Sequence, residues 1–210
     1  MPILLNLDIE HINHACFRIK ANGKIIYLDP FKTPDALHDA DVIFISHEHF
    51  DHCSIEDIRK IIKPETIIVC PPDCQSKFSG MHLRQVVLVK PFDHKTVEGI
   101  GVETIPAYNT NKKFHPRQND WVGYVLTING TRVYHCGDTD AIPEMKELKN
   151  IDIALMAVSG TYVMTAPEAA TATNWFMPKV AVPMHYASIV GTKEDAETFK
   201  KMVKGKVEIF

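Results

Sequence analysis

A chain of 210 residues, 45% hydrophobic and 23% charged, has the balance of a soluble globular protein and can bury its own core, which excludes disorder, collagen-like repeats and disulfide-stapled miniproteins. The usual domain size of about 150 residues, with no compositional seam in sight, points to a single domain over residues 1–210. With 23 basic against 26 acidic residues the net charge is −3, so no surplus of lysine and arginine is available to neutralise a nucleic-acid backbone, and nucleic acid is set aside as a partner.

Strands are expected first. Residues 4–10, 15–20 and 24–28 read as β, and the last two are joined at Asn22-Gly23, the pair that a two-residue primed turn requires. Residues 42–45 form a continuous apolar run bounded by Asp41 and Ser46, which suits a strand buried on both faces. Ser54 has Asp57 three residues on, with Ile55, Ile58, Ile61 and Ile62 at helical spacing up to Pro64, so a capped amphipathic helix follows. Further strands are expected at 66–69, 86–89 and 102–105, then a second hairpin, 124–128 with 132–136, turning at Asn129-Gly130. Residues 151–158 are a long apolar strand, and Thr165 with Glu168 caps a helix through Phe176 with Pro167 in its first turn. A short strand at 180–183, a helix at 194–203 and a closing strand at 207–210 complete the chain, in which no internal repeat is visible. The hairpins argue against a doubly wound parallel fold. Strands this numerous and helices this few suit two mixed β-sheets packed face to face with helices outside.

The first apolar run, residues 3–5, is interrupted by Asn6, Asp8 and Glu10, too soon for a signal sequence or for a membrane span of about 20 apolar residues, so a cytoplasmic protein is expected. Five cysteines, an odd number with no C-x-x-C pair, fit reduced thiols. Histidine, at 11 residues, is the unusual count.

The histidines gather at Ser46-His47-Glu48-His49-Phe50-Asp51-His52. Given 11 His among 210 residues, H-x-H-x-D-H arises by chance about twice in a thousand such chains, so the motif carries information. Residues two apart in an extended chain share a side, so His47 and His49 can bite one ion as they leave the strand. Asp51 and His52 are adjacent and face a second ion if the chain turns there.

Together with Asn13-His14-Ala15-Cys16-Phe17, Leu28-Asp29-Pro30-Phe31, Tyr134-His135-Cys136-Gly137-Asp138-Thr139-Asp140 and Pro183-Met184-His185-Tyr186, this motif resembles the metallo-β-lactamase superfamily over nearly the whole chain. The resemblance is strongest to its small metal-dependent hydrolases, the group similar to ascorbate-phosphate lactonase and phospholipase D-type members. It implies an α/β (α+β) fold, a four-layer αββα sandwich of two mixed β-sheets flanked by helices, with the metal site where strands end and loops gather. It also implies that Asp138 is a carboxylate bridging two ions and that His185 is the last ligand of the second. His14 and Asp29 match positions that support the ligand imidazoles from behind.

The pattern breaks at one place. A further histidine is expected after the strand ending near Pro106, and Ala107-Tyr108-Asn109 stands there. Asn109, a weak ligand for zinc through its amide oxygen, and His115, six residues on, are the two alternatives for that place, as metal ligand or substrate contact. His135 faces either the site or the space between the sheets. Cys53, beside His52, reads as a buried inert thiol. Tyr108, Tyr162 and Tyr186 flank the ligand loops.

The motif and the resemblance together imply a metal set of His47, His49, Asp51, His52, Asp138 and His185, with Asp51 and Asp138 as catalytic carboxylates. Two divalent ions, zinc by ligand type with manganese or iron as alternatives, would share a water and lower its pKa towards neutrality. The expected reaction is hydrolysis of an ester, lactone or phosphodiester of a small-molecule substrate. A di-iron redox protein and a non-catalytic metal-binding module on the same fold are the rival readings. Thiol titration of denatured protein without reductant should find all five cysteines free; a native disulfide would contradict a reducing compartment.

Overall fold

The computed structural model describes residues 3–210, which divide into two compact units, one ending at Lys90 and the other running from Pro91 to Phe210. In the first unit, strands β1 (Ile3–Leu4), β2 (Leu7–Asn13), β3 (Cys16–Ala21), β4 (Lys24–Leu28), β5 (Val42–Phe44), β6 (Ile67–Cys70) and β7 (Gln85–Leu88) lie side by side in chain order. The first three pairings are antiparallel and the next three parallel.

The expected strand over residues 4–10 is a hairpin. Leu5 and Asn6 take φ of +49° and +71°, and Asn22 and Gly23 take +51° and +72°, both two-residue turns of the primed kind. The second was legible because Asn-Gly announces it. Leu5-Asn6 hides its turn behind a leucine forced into the left-handed region.

Helix α1 (Ile55–Ile61) joins β5 to β6, and the Ser54 side chain accepts from the Asp57 N–H as anticipated. Tyr27, Ile43 and Ile68 are paired across β4, β5 and β6, so they share a sheet face, and Ile58 and Ile61 of the helix join them in one buried cluster. Asp57 does more than cap. Its carboxylate accepts from the backbone N–H of Lys32 (2.8 Å) and Thr33 (3.1 Å), from Ser54 Oγ (2.7 Å) and from Lys60 Nζ (3.1 Å), fixing the loop after β4 to the start of α1.

The second unit repeats this topology. Strands β8 (His94–Val97), β9 (Ile100–Pro106), β10 (Val122–Ile128), β11 (Thr131–His135), β12 (Ile153–Ala157), β13 (Val180–Met184) and β14 (Lys206–Val207) again follow chain order, three antiparallel pairings and then three parallel ones. Helices α2 (Ala166–Phe176) and α3 (Lys193–Met202) pack on each other and over β12 and β13. The capping box of Thr165 and Glu168 is formed. Gly123 is obligatory, since a Cβ there would lie 2.8 Å from the carbonyl oxygens of both His135 and Cys136. Strand β8 escaped the sequence reading because three of its four residues are exposed and polar, as did the 3₁₀ turns Pro72–Phe78, Arg117–Asn119 and Pro143–Glu147. The closing strand is shorter than expected, ending at Val207.

All five cysteines are buried free thiols. The Cys74 hydrogen bond and burial push the Cys53 thiol well above its usual range, which makes it unreactive. No helix of the described residues is long and apolar enough to cross a membrane.

Burial alone would raise the Asp57 carboxyl, but its bonds from Ser54, the Lys32 N–H and Lys60 outweigh that and hold it below the ordinary carboxylate range. A folded-state value that is lowered stabilises above the unfolded pKa of about 3.9 and loses that contribution as the pH falls through the folded value. Asp57→Asn should therefore cost about 1–2 kcal/mol at pH 7 in urea titrations, with the gap to wild type closing below about pH 4.

Candidate metal centre

The first unit gathers its candidate residues where β2, β4 and β5 end. Asp29, immediately after β4, is buried and takes a left-handed φ of +42°. It accepts from Ser46 N–H (2.7 Å), Ser46 Oγ (2.6 Å) and His52 Nδ1 (2.7 Å). Because the Ser46 hydroxyl donates to Asp29, its oxygen accepts from His47 Nδ1 at 2.9 Å. Both rings are thereby gripped at Nδ1, and each presents Nε2 forward. His47 Nε2 lies 3.1 Å from His49 Nδ1, and His52 Nε2 lies 3.6 Å from Asp51 Oδ2.

Asp51 and His52 were expected to converge only if the chain turns, and it does. The N–H groups of His52 and Cys53 both bond back to the His49 carbonyl, at 3.0 and 2.8 Å. His14, in the β2–β3 connection with φ of +54°, donates Nε2–H to Asp51 Oδ2 at 3.1 Å. His14, Asp51 and His52 each offer a ligand atom within 4.8 Å of the others. His11, which the sequence reading passed over, holds the His14 carbonyl at 2.8 Å.

The second unit builds a matching cluster around Asp138, which follows β11. Its Oδ2 lies 3.2 Å from His115 Nε2 and 3.1 Å from His185 Nε2, and all three residues are buried. His185 follows β13 at φ +61° and is held through Nδ1 by Ser159 Oγ at 2.9 Å. His115 is held through Nδ1 by Asn109 Oδ1 at 3.1 Å, and the same oxygen accepts the His115 backbone N–H at 3.0 Å. Asn109 is anchored in turn by Asp140 and the Tyr162 carbonyl.

Asn109 and His115 are thus hydrogen-bonded to each other. The carboxamide aims the imidazole, and the imidazole meets Asp138. Asp140 keeps the loop in place through Thr110 and Lys112; burial raises its carboxyl, but those contacts bring it below the ordinary range. His135 is buried and accepts the Gly137 N–H through Nδ1, so it shapes the turn that presents Asp138. The Tyr108 hydroxyl bonds Glu144, and Arg117 stacks over its ring, so this residue braces the loop.

The clusters occupy equivalent places in the repeated topology. His14 and His115 lie in the second-to-third strand connections, Asp29 and Asp138 follow the fourth strands, and Ser46 and Ser159 follow the fifth. Each serine holds a histidine Nδ1 at 2.9 Å. Neither serine was foreseen, and the signal available was position alone, a hydroxyl directly beyond an apolar strand. Left-handed backbone at His14, Asp29 and His185 costs of order 1–3 kcal/mol each, and such strain concentrates where loops are held for a purpose. Imidazole nitrogens and carboxylate oxygens, with each ring tethered from behind, are a donor set that fits divalent transition ions.

Comparison with known proteins agrees with this chemistry. Residues 8–185, spanning both units, match the model of the β-lactamase superfamily domain. The chain belongs to the metal-dependent hydrolases of the β-lactamase superfamily. A relative from Thermococcus onnurineus named "UPF0173 metal-dependent hydrolase" is 30% identical over 97% of this chain and 95% of its own. A crystal structure assigned as a metal-dependent hydrolase from Parabacteroides distasonis is 35% identical, with a TM-score of 0.84 over 97% of this chain and 92% of that one. The metallo hydrolase Igni18 from Ignicoccus hospitalis shares the fold at 22% identity and a TM-score of 0.77, covering 97% and 94%. The expected fold class, two mixed β-sheets with a few helices, is that of this superfamily.

The pairing of Asn109 with His115 makes a graded prediction for this metal-dependent hydrolase. With His115 as a ligand, His115→Ala should lower bound metal by about one ion per chain and reduce turnover about 10- to 100-fold, and Asn109→Ala should weaken metal affinity about 10-fold while leaving His115 in place. Metal stoichiometry and competitive chelator titration check both; an Asn109→Ala protein with unaltered affinity would detach the carboxamide from this role.

Proposed function

We propose that the two clusters supply the metal ligands of a hydrolase that cleaves an ester, lactone or phosphodiester bond of a small molecule. The observation that carries this reading is the repeated tether. His47, His52, His115 and His185 are each held at Nδ1 by Ser46, Asp29, Asn109 and Ser159, and each directs Nε2 at another candidate ligand. Packing alone does not call for that arrangement, whereas metal ligation needs the tautomer and the ring angle fixed. The candidate ligands are His47, His49, Asp51 and His52 in the first unit and His115, Asp138 and His185 in the second; zinc suits this set.

When bound, such ions supply Lewis acidity and a water ionisable near neutral pH. The chain supplies the rest. Asp51 and Asp138 orient the attacking water and accept its proton. His14, through Nε2–H, keeps one oxygen of Asp51 occupied and so decides which way the carboxylate turns. Asp29 and Ser46 keep the rings of His52 and His47 from rotating, so the site does not reorganise as charge develops.

Freshly purified protein should carry two ions per chain by elemental mass spectrometry. Chelation should abolish turnover on a panel of esters, lactones and phosphodiesters, and zinc, manganese or iron should restore it. His52→Ala and His185→Ala should each lose about one ion. Full metal content with no turnover anywhere on the panel would reduce the ions to a structural staple and overturn the hydrolase reading.

A further inference from the structure

A large apolar side chain stands where polar residues would be expected. Phe50, between His49 and Asp51, is 67% exposed, the most exposed of the large hydrophobic residues described. Folding gains little from a ring held in water, so the informative question is what it meets. It meets Phe31 edge to face, with centroids 5.9 Å apart and planes at 79°, and Phe31 meets the His14 ring in a similar way at 6.0 Å and 66°. A continuous aromatic wall therefore runs from His14, the residue that bonds Asp51, out to an exposed ring. The ammonium of Lys32 lies 5.3 Å from the Phe31 centroid, which brings a positive charge to the same wall.

This wall is built rather than incidental. Residues 29–33 are fixed at both ends, at Asp29 by Ser46 and His52, and at Lys32 and Thr33 by the Asp57 carboxylate. Lys32 takes a left-handed φ of +51°, a strained conformation that its N–H bond to Asp57 maintains. Aromatic surface and cation are thus placed before any ligand arrives, which lowers the ordering cost of binding.

We propose that Phe50, Phe31 and Lys32 form a substrate subsite for a flat, aromatic group carrying an anionic substituent, one end of a small molecule whose scissile bond lies at the metal centre. The subsite rests on the hydrolase reading for its place in turnover, but its binding preference is measurable without hydrolysis. Phe50 supplies the stacking face and Lys32 the charge, and neither is assigned to metal or to proton transfer.

The test separates the two. Calorimetric binding of 4-hydroxybenzoate, phenol and acetate to the metal-loaded protein uses ligands with no scissile bond, acetate reporting direct capture by the ions. Wild type should prefer 4-hydroxybenzoate to phenol. Phe50→Ala should weaken both about 3- to 10-fold with acetate binding and metal content unchanged, and Phe50→Trp should restore them. Lys32→Gln should weaken 4-hydroxybenzoate alone, about 5-fold. In turnover, the Phe50→Ala penalty in kcat/KM should be larger for 4-acetoxybenzoate than for ethyl acetate and reside in KM. Equal binding by wild type and Phe50→Ala overturns the subsite whether or not any ester is cleaved. Binding selectivity without turnover upholds the subsite and counts against hydrolysis.

Discussion

A buried carboxylate on which three donors converge governs the first unit. Asp29 lies at the end of β4 with almost no solvent contact, and a charge in that position must be fully hydrogen-bonded to be tolerated. It finds both polar groups of Ser46 and the ring of His52, and in doing so fixes the start and the end of the 46–52 loop with one side chain. Removing it would leave a serine, two histidines and the turn between them without a common reference. Charge-assisted bonds of this kind contribute about 1.5–3 kcal/mol each, so the loop owes its shape more to this residue than to its own sequence.

The second unit reaches a similar result by other means. Asp138 is approached by two imidazoles instead of anchoring a loop from behind, and the anchoring falls to neutral groups, Ser159 and Asn109. Neutral acceptors fix a ring's tautomer without adding negative charge to a region that already holds a buried carboxylate. The two halves thus share strand order and the positions of their functional residues while differing in chemistry, which is why no repeat is visible in the amino-acid sequence.

Much of this was readable beforehand. The His47 to His52 spacing identified a metal-capable loop, Asn22-Gly23 and Asn129-Gly130 identified their hairpins, and Thr165 with Glu168 identified the start of α2, because in each case the chemistry is local. The bond between Asn109 and His115 was not legible because it forms only when residues 109–115 close on themselves, through the Asn109 N–H to the His115 carbonyl. Ser46 is oriented by Asp29 from the end of another strand and Ser159 meets His185 beyond another strand, and such partnerships leave no mark in spacing. The turn at Leu5-Asn6 was lost for the opposite reason, a local conformation taken up by a residue that does not favour it.

The order of strands in the two sheets has a consequence for how the chain comes into being. Within each sheet every strand after the first pairs with its predecessor in the chain, so no pairing has to wait for a segment beyond the next crossover. The first seven strands can zip together before residue 91 has left the ribosome. At that moment His47, His49, Asp51 and His52 already have their supports, while Asp138 and His185 have yet to be synthesised. The supports of the 46–52 loop are thus complete at a stage when the second unit's cluster has none, so the two clusters are acquired in sequence rather than together.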